Sequence, residues 1–249
     1  MCFRDYHVHT TFSDGENTPE EAVLAAIKLG MSEIGFSDHS YISHPCGIVY
    51  WMSKDGEEEY KKEIARLKVK YKDKIKILCG IEQDYCSDHP AEGFDYIIGS
   101  VHFIETKDGF FPVDESEGDT LSALKYFGGD IYAFTEEYYK RVANVVEKTK
   151  CDIIGHFDLI SKFNERAHLF DEQNPRYKKA WRAAADALLK TGKPFEINMG
   201  GIISGIKTSP YPSREIYDYI KKRGGKFILS SDAHVKKHLC FNFEKYGDI

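Results

Sequence analysis

The chain has 249 residues, long for an average domain and ordinary for one β/α barrel. Hydrophobic residues make up 42% and charged residues 30%, the balance of a soluble globular protein, and no run of about 18 apolar residues offers a membrane span. A net charge of −6 argues against an extended nucleic-acid surface.

Short apolar runs alternate with amphipathic stretches. The first strand is expected over Phe3–Val8, and a helix follows at Thr18–Leu29. That helix has a well-formed start: a capping hydroxyl at Thr18, Pro19 in the first turn and Glu21 three residues on. Next come strand Glu33–Ser37, helix Glu57–Tyr71, and strands Ile75–Ile81 and Tyr96–Val101. Helix Tyr132–Lys148, strand Asp152–Gly155, helix Pro175–Leu189, strand Pro194–Asn198, helix Ser213–Lys222 and strand Lys226–Ser230 complete the series. Ser213 is a weaker cap, and glycines 30, 192 and 224 close three helices. Strand–helix alternation implies a parallel sheet covered by helices. Seven strands predict a distorted TIM-like (β/α)7 barrel, with an open doubly wound sheet as the alternative. No linker or repeat divides the chain, so residues 1–249 read as a single domain. Two longer connections, Tyr41–Lys54 and Phe103–Gly129, are expected as functional or mobile loops.

The six cysteines form no C-x-x-C pair; Cys79 and Cys151 lie in apolar runs and read as core residues. The polar start of the chain lacks the apolar stretch of a signal peptide, and a cytoplasmic protein with reduced thiols is expected.

The chemistry lies at the strand exits. His7 and His9 end the first apolar run, Asp38 and His39 the second, Glu82 the third, His102 the fourth and His156 the fifth; Asp232 and His234 follow the last. Only Pro194–Asn198 has neither histidine nor carboxylate at its exit, offering Asn198 instead. In a β/α barrel these exits meet on one face. His7 and His9, two residues apart on a strand, project the same way. Imidazole and carboxylate donors suit zinc, manganese or iron, and this many donors exceed what one tetrahedral ion takes. Two or three divalent transition metal ions are therefore expected, with Glu82 able to bridge through its two oxygens. Asp14, in Ser13-Asp14-Gly15, reads either as a turn residue or as a further ligand. His44, His89, His168 and His238 are off the pattern; His44 and His89, each before a proline, default to surface residues, although His44 could face the site from its loop.

Taken together, Tyr6-His7-Val8-His9-Thr10 with Ser13-Asp14-Gly15, Ser37-Asp38-His39, Gly80-Ile81-Glu82, Gly99-Ser100-Val101-His102, Gly155-His156-Phe157-Asp158 and Ser231-Asp232-Ala233-His234 resemble the polymerase-and-histidinol-phosphatase (PHP) metalloenzyme family. The match spans nearly the whole chain. Gly80-Ile81-Glu82-Gln83-Asp84-Tyr85, the Phe103 that follows His102, and Glu196-Ile197-Asn198 with Ser209-Pro210-Tyr211-Pro212-Ser213 look most like its histidinol-phosphate phosphatase branch.

The resemblance implies a distorted seven-stranded barrel with a trinuclear metal centre. One ion would take His7, His9, Glu82 and Asp232; a second would share Glu82 and add His102 and His156; a third would take Asp14, His39 and His234. It implies phosphomonoester hydrolysis, of histidinol phosphate within this branch, and we expect in-line attack by a metal-bridged hydroxide. A water on the third ion, or Asp232 or His234 acting indirectly, are candidates for proton handling at the leaving group. Lys162, shortly after His156, is a candidate phosphate contact, and Asp84, Tyr85, Glu105 and Trp51 are candidates for the amine and imidazole. Two features depart from the branch. Ile203 and Ser204 stand where a basic residue usually follows Asn-x-x-Gly, leaving Lys207 as the nearest cation. The chain also stops about 15 residues after His234, so weaker barrel closure is expected. Rival functions are a PHP-type phosphoesterase or nuclease acting on nucleotides, another small phosphate ester as substrate, an amidohydrolase, and a metal-binding regulatory domain. The acidic charge and the lack of a Lys/Arg-rich strip disfavour the nuclease, and the full donor set disfavours the regulatory domain.

Overall fold

A computed structural model describes residues 3–43 and 51–246. Seven parallel strands form one sheet: β1 (Arg4–Asp5), β2 (Glu33–Phe36), β3 (Lys76–Asp84), β4 (Tyr96–Ser100), β7 (Ile153–Ile154), β8 (Phe195–Asn198) and β9 (Phe227–Ser230), in that spatial order. A two-stranded antiparallel hairpin, β5 (Phe103–Thr106) and β6 (Gly109–Pro112), is inserted after β4. The main helices are α1 (Pro19–Lys28), α2 (Lys54–Lys70), α3 (Glu117–Tyr126), α4 (Ile131–Val142), α7 (Pro175–Leu189) and α9 (Arg214–Lys222). Short helical turns occupy α5 (Val145–Thr149), α6 (Asn164–Ala167), α8 (Gly200–Ile203) and α10 (Phe243–Tyr246).

The sheet closes on itself, as the distorted barrel expected from the sequence, rather than lying open. The closing contact is a parallel bridge between Val8 and Ala233, with Ala233 N donating to His7 O at 3.1 Å and His9 N to Ala233 O at 3.0 Å. Asp5, wholly buried, adds a second stitch: its carboxylate accepts from Ser231 N at 3.1 Å and Cys240 N at 2.9 Å. The residue after Asp232 is thus itself part of the seam.

Local chemistry explains most element boundaries. At α1, Thr18 and Glu21 form a reciprocal capping box. Helix α2 begins at Lys54, earlier than expected, because Ser53 caps it through Gly56 N. The stretch expected as one helix over Tyr132–Lys148 breaks at Ala143–Asn144 into α4 and α5. Phe103–Gly129 is not an unstructured loop. Its Asp108-Gly109 turn, with Gly109 at φ 132°, folds the β5–β6 hairpin, and Ser116 caps α3. Ser213 makes no side-chain cap; its amide instead donates to Asp158 Oδ2 at 2.9 Å.

Helices and strands share two large apolar cores. One joins α1 and α2 to β2 and β3 through residues such as Val23, Phe36, Ile64 and Leu67. The other joins α4, α7 and α9 through Phe134, Tyr139, Trp181 and Ile220. A smaller cluster, Tyr96, Ile98 and Ile153 with Tyr6, Leu78 and Ile228, fills the barrel interior. Tyr96 Oη donates across it toward Tyr6 O at 2.6 Å and Phe36 O at 3.0 Å. The ring fits only because β2 and β3 are bare there. A Cβ on Gly80 would lie 2.2 Å from the ring, and one on Gly35 2.4 Å from Oη. No helix among the described residues is long and apolar enough to cross a membrane.

Candidate active site

The strand exits converge. His7, His9, Asp14, His39, Glu82, His102, His156, Asp232 and His234 come together at one end of the barrel, and all but Asp14, Asp232 and His234 are buried. Glu82, at the exit of β3, is the hub. Its Oε2 lies 3.4 Å from His7 Nε2, 3.6 Å from His9 Nε2 and 2.9 Å from His39 Nδ1. Its Oε1 lies 3.4 Å from His102 Nε2 and 2.9 Å from His156 Nε2, and accepts from Ser100 Oγ at 2.5 Å.

Asp232 faces Glu82 across the two first histidines, its Oδ1 3.5 Å from His7 Nε2 and 3.3 Å from His9 Nε2. It holds a left-handed backbone with φ 56°, a conformation that aspartate tolerates better than most residues. Asn198 Nδ2 steadies it at 3.2 Å, and Gly200 leaves it room, since a Cβ there would lie 2.6 Å from Oδ2. Asp14 makes the third grouping: its Oδ2 lies 3.6 Å from His39 Nε2 and 3.1 Å from His234 Nε2, and its Oδ1 3.5 Å from His9 Nδ1. The turn reading of Ser13-Asp14-Gly15 holds, and the turn brings Asp14 beside the histidines. Ser13 N and Gly15 N both donate to Thr10 O, so the segment is a turn, and the turn carries Asp14 over His9.

These donors suit metal ions better than they suit one another. His7 Nε2, both ring nitrogens of His9 and His156 Nδ1 are buried with no hydrogen-bond partner among the described residues. An orphaned buried polar atom costs about 1–3 kcal/mol, and four in one cluster need a ligand. Donors about 2.1 Å from one tetrahedral ion stand about 3.4 Å apart, the spacing seen among His7, His9, Glu82 and Asp232.

The field is equally pointed. Burial alone would raise the Glu82 pKa, but His7, His102 and His39 outweigh it and hold the carboxyl well below its usual range. Burial opposes charge on His7, and the carboxylates of Glu196, Asp232 and Glu82 overcome it and raise its pKa. His102 is pushed up to about 9, Glu82 and Asp84 outweighing burial. His9 goes the other way, to about 4, through burial and its neighbours His234 and His39, which keeps it neutral.

A second ring of residues orients the first. Glu196, on β8, accepts His7 Nδ1 at 2.7 Å and His156 N at 2.9 Å. Asp84 accepts His102 Nδ1 at 2.9 Å and His102 N at 3.0 Å. Asp38 points away from the cluster and ties down the turn that carries Asp14, accepting from Thr10 N at 2.8 Å and Ser13 Oγ at 2.7 Å. Carboxylates placed behind ligating histidines fix the tautomer and the ring orientation.

In front of the donors lies a cavity of about 480 Å3. Lys162 lines it, with Nζ 3.1 Å from Asp114 Oδ2, and so do Asp232, His234, Tyr211, Glu115 and His238. Other expected substrate residues lie elsewhere. Asp84 is behind His102 and does not line this cavity. Lys207 is buried, its Nζ 3.3 Å from Ser161 Oγ and 3.4 Å from Glu165 Oε1, braced beneath the wall rather than exposed on it. Tyr85 packs on the apolar core and Trp51 sets its ring edgewise to Phe103 at 6.1 Å; neither lines the cavity, and neither does Glu105. His44 falls outside the described residues. Sequence reasoning quoted Glu196 only as part of a branch motif and gave it no role, and it missed Asp114, carried in by the hairpin. It also left His238 off the pattern, whereas it lines the cavity.

Fold and donor set together define a metal-binding β/α barrel with its site at the C-terminal strand ends. The chain belongs to the PHP-domain family, whose sequence profile matches residues 5–200. It is 30% identical to the histidinol-phosphatase of Lactococcus lactis, over 97% of this chain and 87% of that protein. It is 25% identical to that of Bacillus subtilis, over 99% and 98%. A Listeria monocytogenes protein of known structure shares the fold, with TM-score 0.82 at 22% identity, over 98% of this chain and 100% of that one. The Lactococcus lactis histidinol phosphate phosphatase, solved with zinc, L-histidinol and phosphate, superposes with TM-score 0.69 at 25% identity, over 98% and 91%.

Proposed function

We propose that this chain is a metal-dependent phosphoric monoester hydrolase that converts L-histidinol phosphate to L-histidinol and phosphate, a step of histidine biosynthesis. The observation that carries the reading is Glu82: one buried carboxylate with donors of five histidines within 3.6 Å of its two oxygens. The whole chain acts as one PHP-type domain. A cytoplasmic setting goes with this, and cysteines 79, 86, 151 and 240 are free thiols.

His7, His9, Glu82 and Asp232 would hold one divalent ion, Glu82, His102 and His156 a second, and Asp14, His39 and His234 a third. Zinc, manganese and iron all match imidazole and carboxylate donors. Bound there, such ions supply hydroxide near neutral pH and draw phosphoryl oxygens toward them. Lys162 binds the phosphoryl group from the facing wall. His234, half-exposed beside the cavity, and Asp232 would act at the leaving group only indirectly, by orienting a water that gives its proton to the departing alcohol. The histidinol moiety extends toward the acidic mouth at Asp114 and Glu115, where its cationic amine is favoured.

The test is phosphate release after exhaustive chelation and reconstitution with zinc or manganese. Histidinol phosphate is compared with p-nitrophenyl phosphate, a nucleoside monophosphate and a dinucleotide. The expected result is metal-restored turnover with kcat/KM highest for histidinol phosphate. A preference for either nucleotide substrate overturns the substrate assignment, and full activity in chelator overturns the metal reading.

A further inference from the structure

Tyr211 is 1% exposed, yet it lines the active-site cavity, and its hydroxyl has no hydrogen-bond partner among the described residues. Its position is fixed from three sides. Its backbone pairs with Asn198 in both directions, at 2.8 and 2.9 Å. The Lys207 ammonium sits 5.3 Å from the ring centroid. The bare backbone of Gly201 admits the ring edge, since a Cβ there would lie 3.1 Å from Cε2. This bracing also gives Lys207 and Gly201 a reason for their burial.

Resting on the phosphatase reading, we propose that the Tyr211 hydroxyl is a substrate-contacting donor, hydrogen-bonded to a phosphoryl oxygen of the ester. Tyr211, His156 and Gly201 are among the cavity's buried lining residues beside the metal donors, and Glu115 is an exposed one. A phosphoryl group drawn to those donors lies among the buried residues, in the cavity that Tyr211 and Lys162 also line. Burial, together with the carboxylates of Asp158, Asp114 and Asp232, raises the tyrosine's pKa well above its ordinary value, so it keeps its proton. It serves as a donor to an anion and not as the acid for the leaving group. An unpaired buried hydroxyl costs about 1–3 kcal/mol, which a phosphoryl oxygen relieves.

The rival occupant is a buried water joining Tyr211 Oη to Asp158 Oδ1, which is likewise buried without a partner. Tyr211→Phe separates the two, because it deletes the hydroxyl and keeps the ring. Inorganic phosphate is titrated into the full-length, metal-loaded protein by calorimetry, and the Tm of the metal-free protein is measured alongside. The expected result is phosphate binding weakened about tenfold, the worth of one hydrogen bond to an anion, with Tm equal to or above wild type. Phosphate affinity within twofold of wild type overturns the proposal whatever happens to Tm, and so does a wild-type holoenzyme that fails to bind phosphate. If phosphate binding weakens as expected but histidinol phosphate is not hydrolysed, the substrate assignment fails and this contact stands.

Discussion

His7 Nδ1 lies 2.7 Å from Glu196 Oε1, and both side chains are fully shielded from solvent. Glu196 Oε2 reaches His156 N as well, so one carboxylate on β8 orients two strand exits on either side of Glu82. With Nδ1 committed to Glu196, His7 is left with Nε2 directed at Glu82 and Asp232.

Replacing that carboxylate removes orientation without removing a proposed ligand. Glu196→Gln is expected to weaken zinc affinity about 10–100-fold while the protein stays folded. Competition with a fluorescent chelator measures it. Unchanged affinity in a variant with native circular dichroism removes the role assigned to Glu196.

Lys162 carries the charge-assisted contact assigned to phosphate, worth about 1.5–3 kcal/mol, or roughly 10–100-fold. Lys162→Ala should raise KM for histidinol phosphate by about that factor, and Lys162→Arg should restore most of it. An alanine variant with wild-type KM places the phosphate elsewhere.

The ionisation pattern predicts how the metal-free protein responds to pH. His102 titrates near 9 when folded and near 6.5 as a free side chain, burial opposing the shift and Glu82 driving it. Its raised pKa contributes stability that is complete below 6.5 and lost as pH rises through 9. Glu82 and Asp232, with lowered pKa values, contribute in the opposite sense, losing theirs only as the medium becomes acidic. The Tm of metal-free protein should therefore fall between pH 6.5 and 9, while apparent zinc affinity rises over the same interval because metal displaces protons. Differential scanning calorimetry across that range checks it, and a flat Tm contradicts it.

Much of this architecture is legible in the residue order. Alternating runs announce the barrel, and histidines at strand exits announce the cluster, because exits of parallel strands share one face. What escapes is whatever depends on packing rather than pattern. Glu196 sits in Phe195–Asn198, where a carboxylate amid apolar neighbours carries no spacing signal. Asp84 follows Glu82 by two residues and reads as another site residue, but at the last position of β3 its carboxylate is taken up by His102 Nδ1 and N, behind that ring. Lys207 is the nearest cation in sequence after Gly201, yet the segment folds its ammonium inward onto Ser161 and Glu165. The hairpin that brings Asp114 to the cavity was marked only by its Asp108-Gly109 turn, inside a stretch otherwise read as loop.

The tyrosine spanning the barrel's lower end has a bearing on how such a molecule can change. Its aryl group needs bare chain at 35 and 80, on two adjoining strands, and its phenol fastens two backbone carbonyls nearby. Positions 35, 80 and 96 are therefore free to drift only as a trio: a methyl at either glycine collides with the ring, and a smaller side chain at 96 leaves a hole beneath the donors. Anyone wishing to deepen the pocket from below would have to redesign all three together, whereas the rim can be altered one residue at a time.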